Sequence, residues 1–467
     1  MRKWLPLLAA SLGTLILLID VTIVNVALPD ISADLETGLS GLQWVVDGYS
    51  LALAALLLVL GSLADRVGAK RTYLAGLAVF AVASLLCGIA GSATILVAAR
   101  ALQGVGGAAM FATTLSLLHA TYTGRDRGTA FGIWGAVAGA ATGLGVVLGG
   151  ILTELLSWRW IFFVNLPIAV VAIAVTASVF PASPRRADRG IDVPGMLTFA
   201  AAATAVTYGV IRSGEYGWTD GRAVAALALG AVALAAFVLV ELRGAAPMLP
   251  LSLLANRQFG ATLFGASGQT FAAFASLPLV SLWLQQQLHL SPLRAGLAML
   301  PMAAVAFMVS GAFGKALQDV SPKWTIGGGL VLLGLGTSLL TLIDAGSSWV
   351  AMVPGFVVIG IGTGINAPAL VSVGMAAVPP QQGGTAAGAV NTARQLGLAL
   401  GVAVLGTVFR GVSGDEQPLT LARFVDGMDA AFVVAGAVGI VFGLVAFGLF
   451  QRQQVAEITR RPAEVGA

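Results

Sequence analysis

The chain has 467 residues, of which 58% are hydrophobic and only 10% charged, and its mean hydropathy is +0.92. That composition leaves too little polar surface for a soluble enzyme and is the reverse of a disordered chain. The net charge of +4 comes from 25 basic and 21 acidic residues scattered singly, so no basic patch follows a nucleic-acid backbone, and the lone Cys87 excludes an intrachain disulfide or a thiolate metal cluster.

A membrane helix needs roughly 20 apolar residues. Fourteen such stretches run at 5–28, 42–64, 73–91, 94–118, 128–152, 159–181, 193–213, 222–242, 258–284, 293–316, 324–343, 349–374, 385–410 and 427–450. The first follows Arg2 and Lys3 as a signal peptide would. Its apolar run is too long for one, and it ends in Asn25, Pro29 and Asp30 rather than at a small-residue cleavage site, so a retained span is expected. With the N-terminus in the cytoplasm, inside segments hold 17 of the 25 Lys and Arg residues and outside segments hold 6, which sets both termini in the cytoplasm. Arg100 and Arg394 remain, both within spans.

Asp20 lies deep in the first span. A charge at the bilayer centre costs about 2.5–3.5 kcal/mol, so it must face a partner or a wet cavity. In the second loop, G-S-L-A-D-R-V-G-A-K-R, Gly61 and Gly68 suit close packing and Asp65 suits a helix cap or an arginine partner. Arg66, Lys70 and Arg71 suit the anionic leaflet. In the fourth span Arg100, Gln103, Gly104 and Gly107 share one helical face. Asp20 and Arg100 fit either a proton or substrate site or a structural ion pair that locks two helices. In the fifth span Gly135, Gly139 and Gly143 recur every four residues, with Gly145, Gly149 and Gly150 expected to extend that packing face. In the thirteenth, Asn391 and Arg394, with Gln395 beside them, make a polar face that looks into the bundle or serves as interhelical hydrogen-bond glue. His119 and His289 have no ligand cluster, so no metal site is expected, and no Walker sequence points to ATP coupling.

These strings resemble the major facilitator superfamily, and in particular its fourteen-span drug:proton antiporter branch, over essentially the whole length. The family's loop signature matches Gly61, Leu63, Asp65, Arg66, Gly68 and Lys70, with Ala69 where a basic residue is usual. The first-span signature L-D-x-T-I-V-N-V-A-L-P is nearly complete around Asp20 and Asn25, and the fourth-span one matches Arg100, Gln103, Gly104 and Gly106. S-W-R-W-I-F-F-V-N-L-P from Ser157, S-P-L-R-A-G-L from Ser291 and G-A-V-N-T-A-R-Q-L-G from Gly388 also look like this branch. The fifth span departs from it, with Val146 where proline is usual, which removes a kink.

The resemblance implies an all-α polytopic fold: a six-helix bundle at 1–182, two extra helices within 183–257, a second six-helix bundle at 258–450 and a cytoplasmic tail at 451–467. A degraded counterpart of the first loop runs from Gly314 to Lys323. It further implies a secondary active transporter rather than an enzyme, in a bacterial cytoplasmic membrane. That transporter would exchange protons for amphipathic, often cationic, drug-like compounds, with protons as the coupling ion and no cofactor. Its partners would be those small molecules, protons and membrane lipids, with no nucleic acid, and the chain a monomer. Asp20 and Arg100 would carry proton coupling. By depth and chemistry the cavity would draw on Asn25, Tyr49, Gln103, Gln269, Phe271, Phe274, Asn366, Asn391 and Arg394. Gly61, Asp65, Arg66, Gly68, Lys70 and Arg71, with Gly139, Gly143, Gly145, Gly149 and Gly150, would gate conformational change. The rival readings are the same fold moving one antibiotic, metabolite or lipid, and a passive pore or non-transporting receptor.

Overall fold

The computed structural model describes residues 2–181, 192–244, 247–313, 320–344, 346–414 and 420–450. The expected tail, most of the counterpart loop from Gly314, and residues 182–191 of the middle segment lie outside the described residues. So do the side chains of Asn25 and Val146 and the packing of Gly139 and Gly143.

Apolar runs in lipid must satisfy every backbone group internally, which leaves the helix as the local solution. In chain order the helices are α1 (Leu5–Asp34), α2 (Leu39–Val67), α3 (Ala69–Gly88), α4 (Ala93–Thr121), α5 (Gly124–Leu155), the short α6 (Trp160–Phe163) and α7 (Asn165–Val179). Then come α8 (Val193–Tyr216), α9 (Gly221–Arg243), the short α10 (Leu251–Ala255), α11 (Arg257–Gln269), α12 (Leu277–Leu282), α13 (Pro292–Phe313), α14 (Gly329–Ser338), α15 (Val353–Ala376), α16 (Gly383–Ser413) and α17 (Leu421–Leu449). π-helical turns at Thr270–Phe274 and Trp283–Gln287 join α11 and α12 into one span, and another at Lys323–Gly328 leads into α14. Among the described residues thirteen helices are long and apolar enough to cross a membrane, and each coincides with one of the expected spans. The remaining expected span lies on α5, the glycine-rich helix with positions outside the described set.

Short polar caps end the spans. Ser92 opens α4 by accepting from the Ile95 amide, and Asp220 opens α9 by accepting from the Ala223 amide. Between α2 and α3 the chain reverses at Gly68, whose φ of 108° favours glycine.

Helices α1–α7 pack on one another around Ile16, Tyr49, Phe80 and Met110, and α11–α17 pack around Trp283, Leu333, Phe356 and Phe432. A third apolar core joins the two groups, with Leu58, Leu115 and Trp134 from the first and Phe259, Met375 and Ala386 from the second. The bundles meet along two seams, α2 against α16 and α5 against α13. Helix α8 packs on both α2 and α16, standing over the first seam with α9 outside it. The Trp44 and Tyr208 rings stack 6.1 Å apart, and Trp218 donates to Thr407 Oγ1 at 3.1 Å. Phe237 of α9 and Met248 and Leu249 beyond it contribute to the joining core. There Asp192 and Glu241, both buried, accept from the Met248 amide at 2.9 and 3.2 Å, and Glu241 also accepts from the Leu249 amide.

Candidate functional site

Two constellations hold the sequence-predicted residues. The first lies within the α1–α7 bundle. Asp20 is fully buried and Arg100 has 1% of its surface exposed. Arg100 Nη1 donates to Asp20 Oδ2 at 2.5 Å and to Gln103 Oε1 at 2.6 Å, while its Nε donates to the Val45 carbonyl at 3.1 Å. Gln103 Nε2 donates to Asp20 Oδ1 at 2.7 Å and to Ser84 Oγ at 2.9 Å. Asn165 Nδ2 donates to Asp20 Oδ1 at 3.2 Å. The guanidinium lies 4.4 Å from the Tyr49 ring centroid and 5.9 Å from that of Phe162, within cation–π range. Helical spacing on α4 makes this possible: Arg100 and Gln103 project from one face, and Gly104 and Gly107 let α2 come close, so that a Cβ at Gly104 would meet the Tyr49 carbonyl at 2.5 Å. Every charge in the clasp has a hydrogen-bonded partner, as burial of an ion pair demands.

The structure brings Asp20, Arg100, Gln103 and Tyr49 together in one buried cluster, whereas the sequence reading set Gln103 and Tyr49 in the substrate cavity. The structure packs both into the clasp, where Tyr49 is 1% exposed. Asn165 and Ser84 were missed. Their one signal was a polar residue within an apolar helix, Asn165 in F-F-V-N-L-P and Ser84 in V-A-S-L-L-C.

The second constellation is a latch between the bundles. Asp65 Oδ1 accepts from the Gly384 amide at 2.6 Å, and Oδ2 accepts from the Thr385 amide at 2.7 Å and the Thr385 hydroxyl at 2.8 Å. A carboxylate at the N-terminus of α16 takes up otherwise unpaired amides and meets the positive end of the helix dipole. Gly61 lies against Gly384, and a Cβ at Gly388 would meet the Leu57 carbonyl at 2.6 Å, so bulkier residues would hold the helices apart. Asn391 Nδ2 donates to the Phe111 carbonyl of α4 at 3.3 Å. Lys70, partly exposed, has its Nζ donating to the Ala177 and Phe180 carbonyls, at 2.8 and 2.5 Å, at the end of α7. The cation satisfies otherwise open helix-end carbonyls. Arg71 is exposed and reaches the Val67 carbonyl at 3.5 Å.

The glycines of α5 do not form one continuous packing face. Gly145 lies against Thr22 and Ile19, and Gly149 against Ile23, but Gly135 and Gly150 have no neighbour within 4 Å of a Cβ position. Gly145 follows Gly143 by only two residues, about 200° round the helix, so the two fours-repeats face differently. Of the remaining cavity candidates, Asn366 is fully buried and donates to the Ile326 carbonyl at 3.0 Å, an internal tie of the second bundle. Gln269 and Phe271 are buried on or beside α11, and Phe274 packs against the second-bundle core. Arg394 stays apart from the clasp. Among the described residues no four-ligand or three-ligand metal group occurs.

A many-spanned helical protein with two latched bundles and a buried charge clasp in one of them is a membrane transporter in architecture, with no soluble catalytic domain among its described residues. The comparisons fix the class: the family model described as Major Facilitator Superfamily matches residues 10–402 and 262–466, and the chain belongs to that family. It is 35% identical over 405 residues to the multidrug resistance protein Stp of Mycobacterium tuberculosis, covering 86% of this chain and 75% of that one. It is also 35% identical to the puromycin resistance protein pur8 of Streptomyces alboniger, covering 94% and 89% of the two chains. With the tetracenomycin C resistance and export protein of Streptomyces glaucescens it shares 30% identity, covering 97% and 92%. The fold is similar to that of the human organic anion transporter MFSD10, with a TM-score of 0.62 at 16% identity, covering 96% of this chain and 99% of that one.

Proposed function

We propose that this protein is a proton-coupled exporter of drug-like amphipathic compounds, of the fourteen-span drug:proton antiporter branch, in a bacterial cytoplasmic membrane with both termini on the cytoplasmic side. The observation that carries export is the near full-length similarity to relatives named for resistance and export. The proton step rests on Asp20 as an acid inside a span with a permanent cation beside it. Water does not reach Asp20 while the clasp is closed, so a proton reaches it only when the helices around it part. Protonation removes one charge of the pair and leaves the Arg100 guanidinium buried without a counter-charge, which costs several kcal/mol and favours a different arrangement of α1 and α4. Ionised Asp20 then belongs with substrate capture from the cytoplasm, and protonated Asp20 with release and return. One charge crossing 100 mV supplies about 2.3 kcal/mol, enough for roughly 50-fold accumulation.

A second reading, the export of one particular antibiotic, draws support from relatives each named for a single compound. The test for both is efflux from inverted vesicles of a dye panel and of single antibiotics, with and without a pH gradient, for wild type and Asp20→Asn. The proposal expects gradient-dependent export lost in Asp20→Asn. Export that ignores the gradient, or that persists in Asp20→Asn, removes the proton assignment.

A further inference from the structure

Arg100 and Arg394 are the two arginines deep within the spans, and their surroundings are opposite. Arg100 has a carboxylate, an amide oxygen, a carbonyl and an aromatic face around it. Arg394 has buried Nε and Nη2 atoms without a hydrogen-bond partner, and no carboxylate within ion-pair distance among the described residues. Only its backbone is engaged, the carbonyl accepting from Thr270 Oγ1 at 2.7 Å. The guanidinium is therefore not interhelical glue through those atoms. It cannot lose its proton, and a buried charge left uncompensated is costly.

Its place on α16 says what lies in front of it. Asn391, three residues earlier, reaches α4 of the first bundle. Gly397, three residues later, lies against Ser267 and Thr270, and Gly401 lies against Phe271 and Ala275. Each three-residue step turns the helix by about 60° short of a full turn, so Arg394 points between these two contacts. Gly401, seven residues on and nearly in line with Arg394, shares that direction and lies against Phe271, so the side chain projects between the α4 contact of Asn391 and the π-helical turn that carries Phe271. An unpaired planar donor fork on the helix face that packs toward Phe271 suits an acid group on an apolar, aromatic body.

We infer that Arg394 is the recognition site for an anionic head group, a carboxylate or phenolate, on an aromatic amphipath, which names the substrate class and rests on the transport reading above. The site is preformed as a donor fork and receives from the substrate the counter-charge that the described residues do not supply.

The test uses purified full-length protein and three probes of one body: 1-pyrenebutanoate, 1-pyrenebutanamide and 1-pyrenebutylamine, titrated at pH 7.5 by pyrene fluorescence. Wild type should bind the carboxylate at least tenfold tighter than the amide, with the amine weakest. Arg394→Gln should bring carboxylate and amide within twofold of each other, and Arg394→Lys should keep most of the preference. A wild type that binds the amide as tightly as the carboxylate overturns the inference, and that measurement needs no variant to fold. A preference that survives Arg394→Gln also overturns it, since general attraction to a basic protein would then explain the result. Head-group preference without gradient-driven export of any probe would leave this site and remove the exporter reading. Export without preference would do the reverse.

Discussion

The inter-bundle latch offers the most direct perturbation. Asp65→Ala removes the acceptor of three hydrogen bonds of 2.6–2.8 Å, two from α16 amides and one from the Thr385 hydroxyl. The residue is only partly buried, so the freed donors gain water when the latch opens, and the net value of each bond is about 1 kcal/mol. The latched arrangement should lose about 3 kcal/mol relative to the open one, a shift of about 150-fold in their ratio. An equilibrium of about 99:1 in favour of latching would become about 40:60. Double electron–electron resonance between spin labels at Thr123→Cys and Gln381→Cys reads this directly, both sites being exposed and on opposite bundles. Cys87, the one native thiol, is removed by Cys87→Ala. Asp65→Ala should show a second, longer distance, and Asp65→Asn an intermediate mixture because one oxygen acceptor remains. An unchanged distance distribution in Asp65→Ala would refute the view that this carboxylate holds the bundles together.

Three further outcomes follow from the geometry. Arg100→Ala leaves Asp20 buried with its main counter-charge gone and should lower unfolding stability by about 3–5 kcal/mol, with Arg100→Ala combined with Asp20→Asn recovering part of the loss; thermal unfolding of the purified protein measures both. Gly145→Leu drives side-chain atoms into Ile19, where even a Cβ would stand 2.8 Å from its carbonyl, and should cost about 1–3 kcal/mol, whereas Gly150→Leu, facing open space, should stay within about 0.5 kcal/mol. Beyond the apolar part of α1, Asp34 accepts from Arg159 at 2.6 Å and Trp158 at 3.1 Å, and these bonds, that of Arg159 foremost, hold its carboxyl below the usual aspartate range. A carboxyl with a lowered folded-state value stabilises above its unfolded value and loses that contribution as pH falls through the folded one. The melting-temperature gap between wild type and Asp34→Asn should therefore be present at pH 6 and close as the pH drops below about 4.

What the sequence made legible follows from which forces are local. Lipid demands a long apolar run for every span, so each helix could be found without knowledge of its neighbours, and helical periodicity put Arg100 and Gln103 on one face of α4. The clasp itself was only half legible. A carboxylate so deep in an apolar run needs partners, but the geometry that supplies Asn165 joins residues 145 apart in the chain, and no periodicity reports that. The latch shows the same limit more sharply. The residue Asp65 stood out as a helix cap, while the amide it caps, Gly384 in the first turn of α16, comes 319 residues later, among glycines that read as ordinary small residues. The α5 glycines do not share one face because the step of two between Gly143 and Gly145 breaks the phase of the repeat of four.

The placement of α8 and α9 makes the protein lopsided towards the bilayer. Of its two seams, the one between α2 and α16 is shuttered by an additional helical hairpin, and the one between α5 and α13 has no such shutter among the described residues. A compound dissolved in the leaflet and drifting sideways into the carrier thus finds one door boarded over. Lateral entry, where it happens, comes from a single compass direction, and residues lining the α5–α13 rim are the ones that would screen what gets in.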